Sequence, residues 1–255
     1  MLNLLRSEWY KLQRNRSFWL LLAVLFVSAT AYVLLNYFDD PEDGGALTAV
    51  SGLDMMTAAM AGNTYIIKIG FCVLAGFFIS SEYATGTIKR AVASGYSRSR
   101  YITAKMLVFM FGAILTALVF PLVNLALGTA LFGLGELNGV SETVFILKAF
   151  ALTITLAAAF AAVTGAIATL LTDSGKTIGF AFVFYFFVDG IYILAGRHLP
   201  FVQTLYEHSI FNLINNYADP MISRAHFAES VYVPILVALA FVAISMAVFR
   251  RKEIK

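Results

Sequence analysis

Six long apolar stretches, joined by short segments whose charge alternates in sign, constrain the fold of this chain most strongly. Fourteen of the 18 Lys and Arg residues lie in four short segments, 1–17, 82–105, 173–176 and 250–255, and the intervening connections are acidic instead. Lys and Arg in short loops mark the cytoplasmic side of a membrane. The pattern therefore predicts six membrane crossings with both chain ends in the cytoplasm.

The composition favours lipid over water as the main solvent. The chain is 60% hydrophobic and 13% charged, with a mean hydropathy of +0.81, whereas soluble proteins carry about 25% charged residues. The net charge of +3 says little, because charges of opposite sign are expected on opposite faces of the membrane. The single cysteine, Cys72, excludes an intrachain disulfide and a thiolate metal cluster.

The length of each apolar stretch sets the predicted spans, since about 20 residues cross a hydrocarbon core of roughly 30 Å. Backbone groups in lipid must be satisfied internally and the stretches lack the alternation of barrel strands, so we expect an all-α membrane protein. The third and fourth spans exceed the minimum length, which indicates tilt or a kink near Pro121. The first stretch is too long for a signal-peptide core, so we expect it to be retained. The single transmembrane domain, 18–249, contains predicted spans at about 18–38, 62–81, 102–132, 144–172, 177–195 and 231–249.

Little of the chain lies outside these spans. The leader, 1–17, is predicted to be an amphipathic helix at the cytoplasmic membrane surface, either as a basic flank or as a docking element. The segment 196–230 is predicted to be an outer loop with short helices, and 250–255 a basic cytoplasmic tail. No polar segment is long enough for a separate catalytic domain. The apolar face predicted for the leader consists of Leu2, Leu5, Trp9 and Leu12.

The loop 82–101, between the second and third spans, carries the most specific signal. A short helix from Glu82 to Ser94, a break at Gly95 and a basic re-entry predict a cytoplasmic elbow. Glu82 lies at the end of a span, where a lone carboxylate is unfavourable, so it needs a cationic or hydroxyl partner.

At these residues the chain resembles the ABC-2 type permeases, the membrane subunits of bacterial ABC exporters, including the bacitracin-resistance and antimicrobial-peptide immunity members. The matching pattern is Glu82, then Gly86-Thr87, then a basic cluster whose Arg98 and Lys105 open the third span. The Leu-Leu pair and Pro usual in this family are replaced here by Ala91-Val92 and Gly95-Tyr96. A polar segment before the last span, 209–220, is also similar, and the resemblance covers essentially the whole chain.

The resemblance implies a type V exporter-like ABC-2 fold in the bacterial plasma membrane, with the elbow as the coupling element that contacts an ATPase. It implies a permease half that dimerises with itself or a sibling, binds two ATPase subunits and exports an apolar or amphipathic substrate. Lipids are expected partners, and nucleic acid is not. The coupling residues that the resemblance and the charges suggest are Glu82, Gly86, Thr87, Lys89, Arg90, Arg98, Arg100 and Lys105.

The chain is not expected to be an enzyme. Gly175-Lys176-Thr177 looks like the end of a phosphate-binding loop, but the required first glycine is replaced by Leu170 and a membrane helix precedes it. ATP and Mg are therefore expected in the partner ATPase, and no cofactor is expected in this chain. A weak metal or proton-sensing site remains an alternative to a solvated-loop role for the outer-loop histidines, His198, His208 and His226.

Three ionisable residues inside the spans, Lys68, Lys148 and Asp189, are the default place to look for function. We hypothesise that Asp189 bridges Lys68 or Lys148 near the outer end of the bundle, either statically or as a gate; the lysines could otherwise snorkel to the headgroups. A self-sufficient secondary transporter or channel that uses these charges as an ion relay is the alternative function. That class should show paired broken helices and charges near the midplane, and the sequence shows neither.

Two further features concern the substrate. Phenylalanines of the fifth span either face lipid or line the path of an amphipathic cargo, as the second and fifth spans of the family do near the dimer axis. The candidate pathway residues are Phe180, Phe184 and Phe187. Acidic outer residues could attract or release a cationic peptide, as the resemblance to peptide-immunity permeases also implies, but any outer loop carries such acids, so lipids and small drugs stay open as the cargo. These residues are Asp39, Asp40, Glu42, Asp43 and Asp54.

Overall fold

The computed structural model describes residues 1–38, 51–137, 139–216 and 218–252, and this part of the chain is mainly helical. Most of the helices are long, and a short 3₁₀ turn, Ile214–Asn216, follows α9. The helices are α1 (Leu2–Gln13), α2 (Arg16–Phe38), α3 (Gly52–Ala84), α4 (Thr87–Ala93), α5 (Arg98–Phe132), α6 (Glu142–Leu171), α7 (Ser174–Gly196), α8 (Pro200–Glu207), α9 (Ile210–Leu213) and α10 (Arg224–Arg251).

Six of these helices, α2, α3, α5, α6, α7 and α10, are long and apolar enough to cross a membrane. The prediction of an all-helical chain with six apolar spans is therefore confirmed. The helix α3 starts at Gly52, well before the predicted span boundary at 62, because Ser51 caps it by accepting a hydrogen bond from the Asp54 N–H. Two π-helical segments interrupt α3, Ile66–Gly70 and Gly76–Ser80.

The first helix, α1, and the last described residues, 250–252, lie at the same end of the helix bundle. Glu8 of α1 bonds to Lys105 of α5, and Arg98 at the start of α5 donates hydrogen bonds to the carbonyls of Arg250 and Lys252. We call this the basic end, formed by α1, α4, the start of α5 and the end of α10. The opposite end contains the start of α3, residues 133–137, α8 and α9.

Small side chains let the helices approach closely. The middle of α6 is rich in Ala and Gly, and most of these residues are fully buried. A Cβ added at Gly165 of α6 would lie 2.7 Å from the Met106 side chain, and one at Gly52 would lie 2.3 Å from Thr129 Oγ1. Membrane helices associate through such packing, since the lipid removes the hydrophobic driving force between them.

The helix α5 continues through Pro121. Proline has no N–H to donate to the carbonyl four residues earlier, which is that of Ala117. The Asn63 side chain of α3 donates a 2.8 Å hydrogen bond to this Ala117 carbonyl. A neighbouring helix thus supplies the donor that the proline removes, as helix interiors in lipid require.

Candidate functional site

Four charged side chains from three helices form a cluster inside the basic end. Lys105 Nζ of α5 lies 2.7 Å from a carboxylate oxygen of Glu8 in α1 and 2.7 Å from one of Glu82 in α3. Lys11 of α1 completes the cluster, with its Nζ 2.5 Å from Glu8 and 3.1 Å from Glu82. The Tyr101 hydroxyl donates a 2.5 Å hydrogen bond to Glu82. We call Glu8, Lys11, Glu82 and Lys105 the four-charge cluster.

The cluster is almost closed to solvent. The side chain of Lys105 is 0% exposed, that of Glu8 1% and that of Glu82 12%. Buried charges are tolerated only when paired and hydrogen-bonded, and here two carboxylates face two ammonium groups. Glu82 therefore has the cationic and hydroxyl partners that its position at the end of a span requires. The arrangement fixes α1 against both helices that carry the loop 82–101.

Lys11 is the member of the cluster closest to solvent, with 30% of its side chain exposed. Burial lowers the pKa of its ammonium group, but the attraction of Glu82 and Glu8 outweighs this and leaves the pKa above its usual value. Lys11 is therefore charged throughout the physiological pH range. Its positive charge helps to balance the negative charges of Glu8 and Glu82.

The loop between α3 and α5 has two turns where a single break was predicted. The helix α3 ends at Ala84, and Gly86 adopts a left-handed conformation with φ 65° before α4 begins at Thr87. Gly95, with φ 87°, provides the second turn. Positive φ favours glycine, which has no Cβ. The predicted helix from Glu82 to Ser94 is thus divided at Gly86, and only Thr87–Ala93 forms the elbow helix.

The predicted coupling residues separate into exposed and internal sets. Lys89, Arg90 and Arg100 are exposed, whereas α4 is held to the bundle by Ile88, which is 1% exposed. Lys105 has no surface to offer a partner, and Glu82 has little. The remaining three shape the loop: Gly86 through its turn, Thr87 through a 3.0 Å hydroxyl contact with Thr85, and Arg98 through its bonds to the C-terminal segment.

The end of the last helix is tied to this same region. Arg98 donates a 2.8 Å hydrogen bond to the Lys252 carbonyl, and Lys252 Nζ lies 2.7 Å from the Thr169 carbonyl and 2.6 Å from that of Leu170. The carbonyls of Thr169 and Leu170 belong to the last turn of α6, where a cation satisfies otherwise unpaired groups. The basic tail therefore connects the loop to α6.

Among the intramembrane charges, Asp189 of α7 pairs with Lys68 of α3 at 2.5 Å. Lys68 lies inside the first π-helical segment of α3, and π turns often mark functional positions. Lys148 lies elsewhere, with its Nζ 5.6 Å from the centre of the Phe227 ring. The second carboxylate oxygen of Asp189 is buried and accepts no hydrogen bond from the described residues.

The three candidate pathway phenylalanines occupy different environments. Phe180 is 55% exposed and Phe187 54% exposed, on the outside of the described bundle. Phe184 packs internally, 6.1 Å from Phe211 and 5.2 Å from Tyr185 between ring centres. Phe180 and Phe187 alone of the three lie on a surface that a cargo or a second chain could meet.

At the opposite end, two of the three histidines of the predicted outer loop meet one carboxylate. His208 Nδ1 contacts Glu229 of α10, and His226 Nδ1 lies 3.5 Å from its other oxygen. The hydrogen bond and charge of Glu229 raise the pKa of His208 above its usual value. Within the described part of the chain, no group of three or more His, Cys, Asp and Glu residues is arranged to hold a metal ion.

The sequence reasoning missed three members of this site, Glu8, Lys11 and Tyr101. The available signal was Glu8, the only acid in the basic leader, spaced four residues from both Leu4 and Leu12. The structure buries the side chains of Leu4, Glu8 and Leu12 on one face of α1. Leu2, which was assigned to the apolar face, is 72% exposed. A lone acid on the buried face of a basic helix indicates a buried cationic partner.

No curated protein matches the chain. A family model described as ABC-2 family transporter protein matches residues 4–188, well over half of the chain. The matched region contains the whole four-charge cluster, α4 and most of α7. The six apolar helices independently indicate a multi-pass membrane protein. The chain therefore belongs to the ABC-2 transporter family, whose members are the membrane permease components of ABC transporters.

Proposed function

We propose that this chain is one half of an ATP-driven exporter that works as a dimer with two ATPase subunits and moves amphipathic peptides out of a bacterial cell. The family association supports ATPase partners in general. The dimer, its stoichiometry and the peptide cargo are our proposal.

The four-charge cluster is the observation that carries this proposal. It joins α1, the end of α3 and the start of α5 through ion pairs of 2.5–3.1 Å, and two of its members, Glu8 and Lys105, are fully buried. The loop with α4 is attached to two of these three helices. A displacement of α4 by a partner therefore reaches α3 and α5 together, and it cannot separate them without breaking buried ion pairs.

The partner would bind the exposed face of the loop. Lys89, Arg90 and Arg100 are exposed there, and α4 contains no acidic residue. This positive surface is complementary to an acidic patch on an ATPase. Lys105 and Glu82 act inside the bundle, as positioning residues for the loop.

The basic end would face the cytoplasm. The described Lys and Arg residues of the four basic segments lie at this end, as the charge rule requires for the cytoplasmic side. The ATPase would then have access to α4 from the compartment that contains ATP and Mg.

Support for a peptide cargo is the resemblance to peptide-immunity permeases and the exposed aromatic surface at Phe180 and Phe187. The acidic loop contributes less to this argument. Asp54 belongs to a helix cap, since the Ser51 hydroxyl donates a 2.6 Å hydrogen bond to it. The other four acids, Asp39, Asp40, Glu42 and Asp43, lie outside the described residues.

Charge reversal on the exposed loop tests the proposed coupling. We expect Lys89→Glu with Arg90→Glu to weaken ATPase binding at least about tenfold, because like charges placed opposite each other cost several kcal/mol. Arg197→Glu with Arg224→Glu, two exposed arginines at the opposite end, is the matched control. Binding by the purified partner ATPase and its substrate-stimulated activity are measured in vesicles. Equal behaviour of the two variants would exclude this loop as the coupling surface.

The cargo is tested separately with the assembled complex. We expect a cationic amphipathic peptide to stimulate ATP hydrolysis and to be transported, whereas a short neutral polar peptide does neither. Stimulation by hydrophobic drugs or lipids alone would replace the peptide assignment while leaving the coupling proposal intact.

A further inference from the structure

An open groove lies between α1 and α5 on the outside of the basic end. Its volume is about 360 Å³, and its lining consists of Leu5, Arg6, Trp9, Leu107, Val108 and Phe111. All of these side chains except Arg6 are apolar. None of the lining residues belongs to the four-charge cluster, so the groove is a separate site.

The aromatic wall gives the groove a defined shape. The rings of Trp9 and Phe111 meet edge to face with 5.3 Å between their centres. Leu107 is 43% exposed and Phe111 49% exposed. In a membrane protein such surface is covered by acyl chains. Leu107 lies nine residues after the start of α5, about 13 Å along the helix, near the level where headgroups give way to hydrocarbon.

Arg6 supplies the single charge of the groove. It is exposed, and among the described residues it forms no salt bridge. The nearest other cations are engaged elsewhere: Lys11 of α1 in the four-charge cluster, and Arg14, just after the end of α1, over the Tyr10 ring at 4.8 Å. A guanidinium at the rim of an apolar groove is complementary to a phosphate that has an acyl chain attached.

We propose that this groove is a binding site for an anionic phospholipid, whose phosphate bonds to Arg6 and whose acyl chain packs against Trp9, Leu107 and Phe111. The bound lipid fills the gap between α1 and α5 and holds the two helices together. It thereby supports α1, which carries half of the four-charge cluster. The site does not depend on the proposed transport function, since it requires only that the chain lies in a membrane.

The test compares lipid binding by the full chain in detergent, with native mass spectrometry counting retained lipid after titration with phosphatidylglycerol or phosphatidylcholine. We expect wild type to prefer phosphatidylglycerol and Arg6→Gln to bind it about fivefold more weakly, as expected for about 1 kcal/mol per arginine at a membrane surface. Arg14→Gln, which removes the same charge one residue after the end of α1 and outside the groove, is the matched control. We expect Leu107→Trp, which fills the groove, to lower retention of both lipids.

Two results would overturn the proposal. One is equal loss of phosphatidylglycerol in Arg6→Gln and Arg14→Gln, which would indicate general attraction to the basic end. The other is unchanged retention in a folded Leu107→Trp variant, which would place the lipid or any other occupant outside this groove. Should Leu107→Trp fail to fold, the comparison of the two arginine variants decides the matter alone.

Discussion

Lys105 and Glu8 lie 97 positions apart in the sequence, yet their side chains form a 2.7 Å ion pair and are 0% and 1% exposed. This contact ties α1 to α5, the helix that follows the loop 82–101. The four-charge cluster therefore joins the leader and the loop into one unit, and the sequence suggested no such connection.

Neutralising Glu8 should destabilise the fold strongly. Glu8→Gln leaves two ammonium groups with one carboxylate in a buried site, and breaking a buried pair typically costs about 3–5 kcal/mol. Chemical denaturation in detergent micelles measures the loss. Glu207→Gln, an exposed acid at the opposite end, is the control and should change stability by less than about 0.5 kcal/mol. If Glu8→Gln lowers the free energy of unfolding by no more than Glu207→Gln does, the result would contradict the burial of the Glu8 carboxylate.

Removing the charge of Asp189 should weaken the contact between α3 and α7. Asp189→Asn leaves Lys68 without its 2.5 Å partner, and we expect a loss of about 1 kcal/mol in helix association, since polar contacts between membrane helices contribute about that much. Lys68→Met in the same background should recover part of the loss. Thermal unfolding and transport by the assembled complex are the measurements. If Asp189→Asn alone behaves as wild type in both, the pair has neither a structural nor a gating role.

The contact between His208 and Glu229 should make the opposite end sensitive to pH. The folded-state pKa of His208 is raised above 6.5, mainly by its hydrogen bond to Glu229. A raised histidine pKa contributes stability that is complete below about pH 6.5 and is lost as the pH rises through the folded-state value. We expect wild type to melt higher than His208→Gln at about pH 5.5 and the difference to vanish at about pH 9.

His198→Gln is the matched control for this experiment, because His198 is exposed on the same side of the molecule. The effect of the contact with Glu229 is the pH dependence that His208→Gln shows beyond that of His198→Gln. A His208→Gln difference that grows with rising pH would have the wrong sign for the contact described.

Substitution of Gly86 should affect the loop through backbone strain alone. A Cβ at Gly86 would meet no atom within 4 Å, but the backbone φ of 65° at this position is unfavourable for alanine. Gly86→Ala should therefore lower the free energy of unfolding by about 1 kcal/mol. Gly86→Asn should cost less, since Asn tolerates the left-handed region. Gly62→Ala, at an equally open helical position, should be neutral or stabilising. Limited proteolysis measures how often the loop 82–101 opens locally. Equal cleavage rates for Gly86→Ala and Gly62→Ala would contradict the backbone strain expected at position 86.

The six apolar helices were predictable because a bilayer imposes the length of each helix and the position of Lys and Arg. The need of Glu82 for a partner followed from the same argument. The identities of its partners did not, because Lys11 lies in a separate helix whose docking depends on the packing of the whole basic end. Asp189 pairs with Lys68 because α7 lies against α3. From the sequence alone, Lys148 was an equally good partner for Asp189.

Irregular backbone was harder to predict. The π segments of α3 have no residue signal, and one of them places Lys68 where it meets Asp189. The division of the elbow at Gly86 was marked by a glycine, but helical glycines such as Gly62 look the same in sequence. The distinction lies in φ, which only the fold determines.

The most direct measurement is solute flux into sealed vesicles that contain this chain with or without its partner ATPase. We expect no flux from the chain alone, and flux that requires both ATP and the partner in the complete assembly. Rapid flux through the chain alone, without ATP, would contradict the proposed function and would favour a self-sufficient transporter or channel.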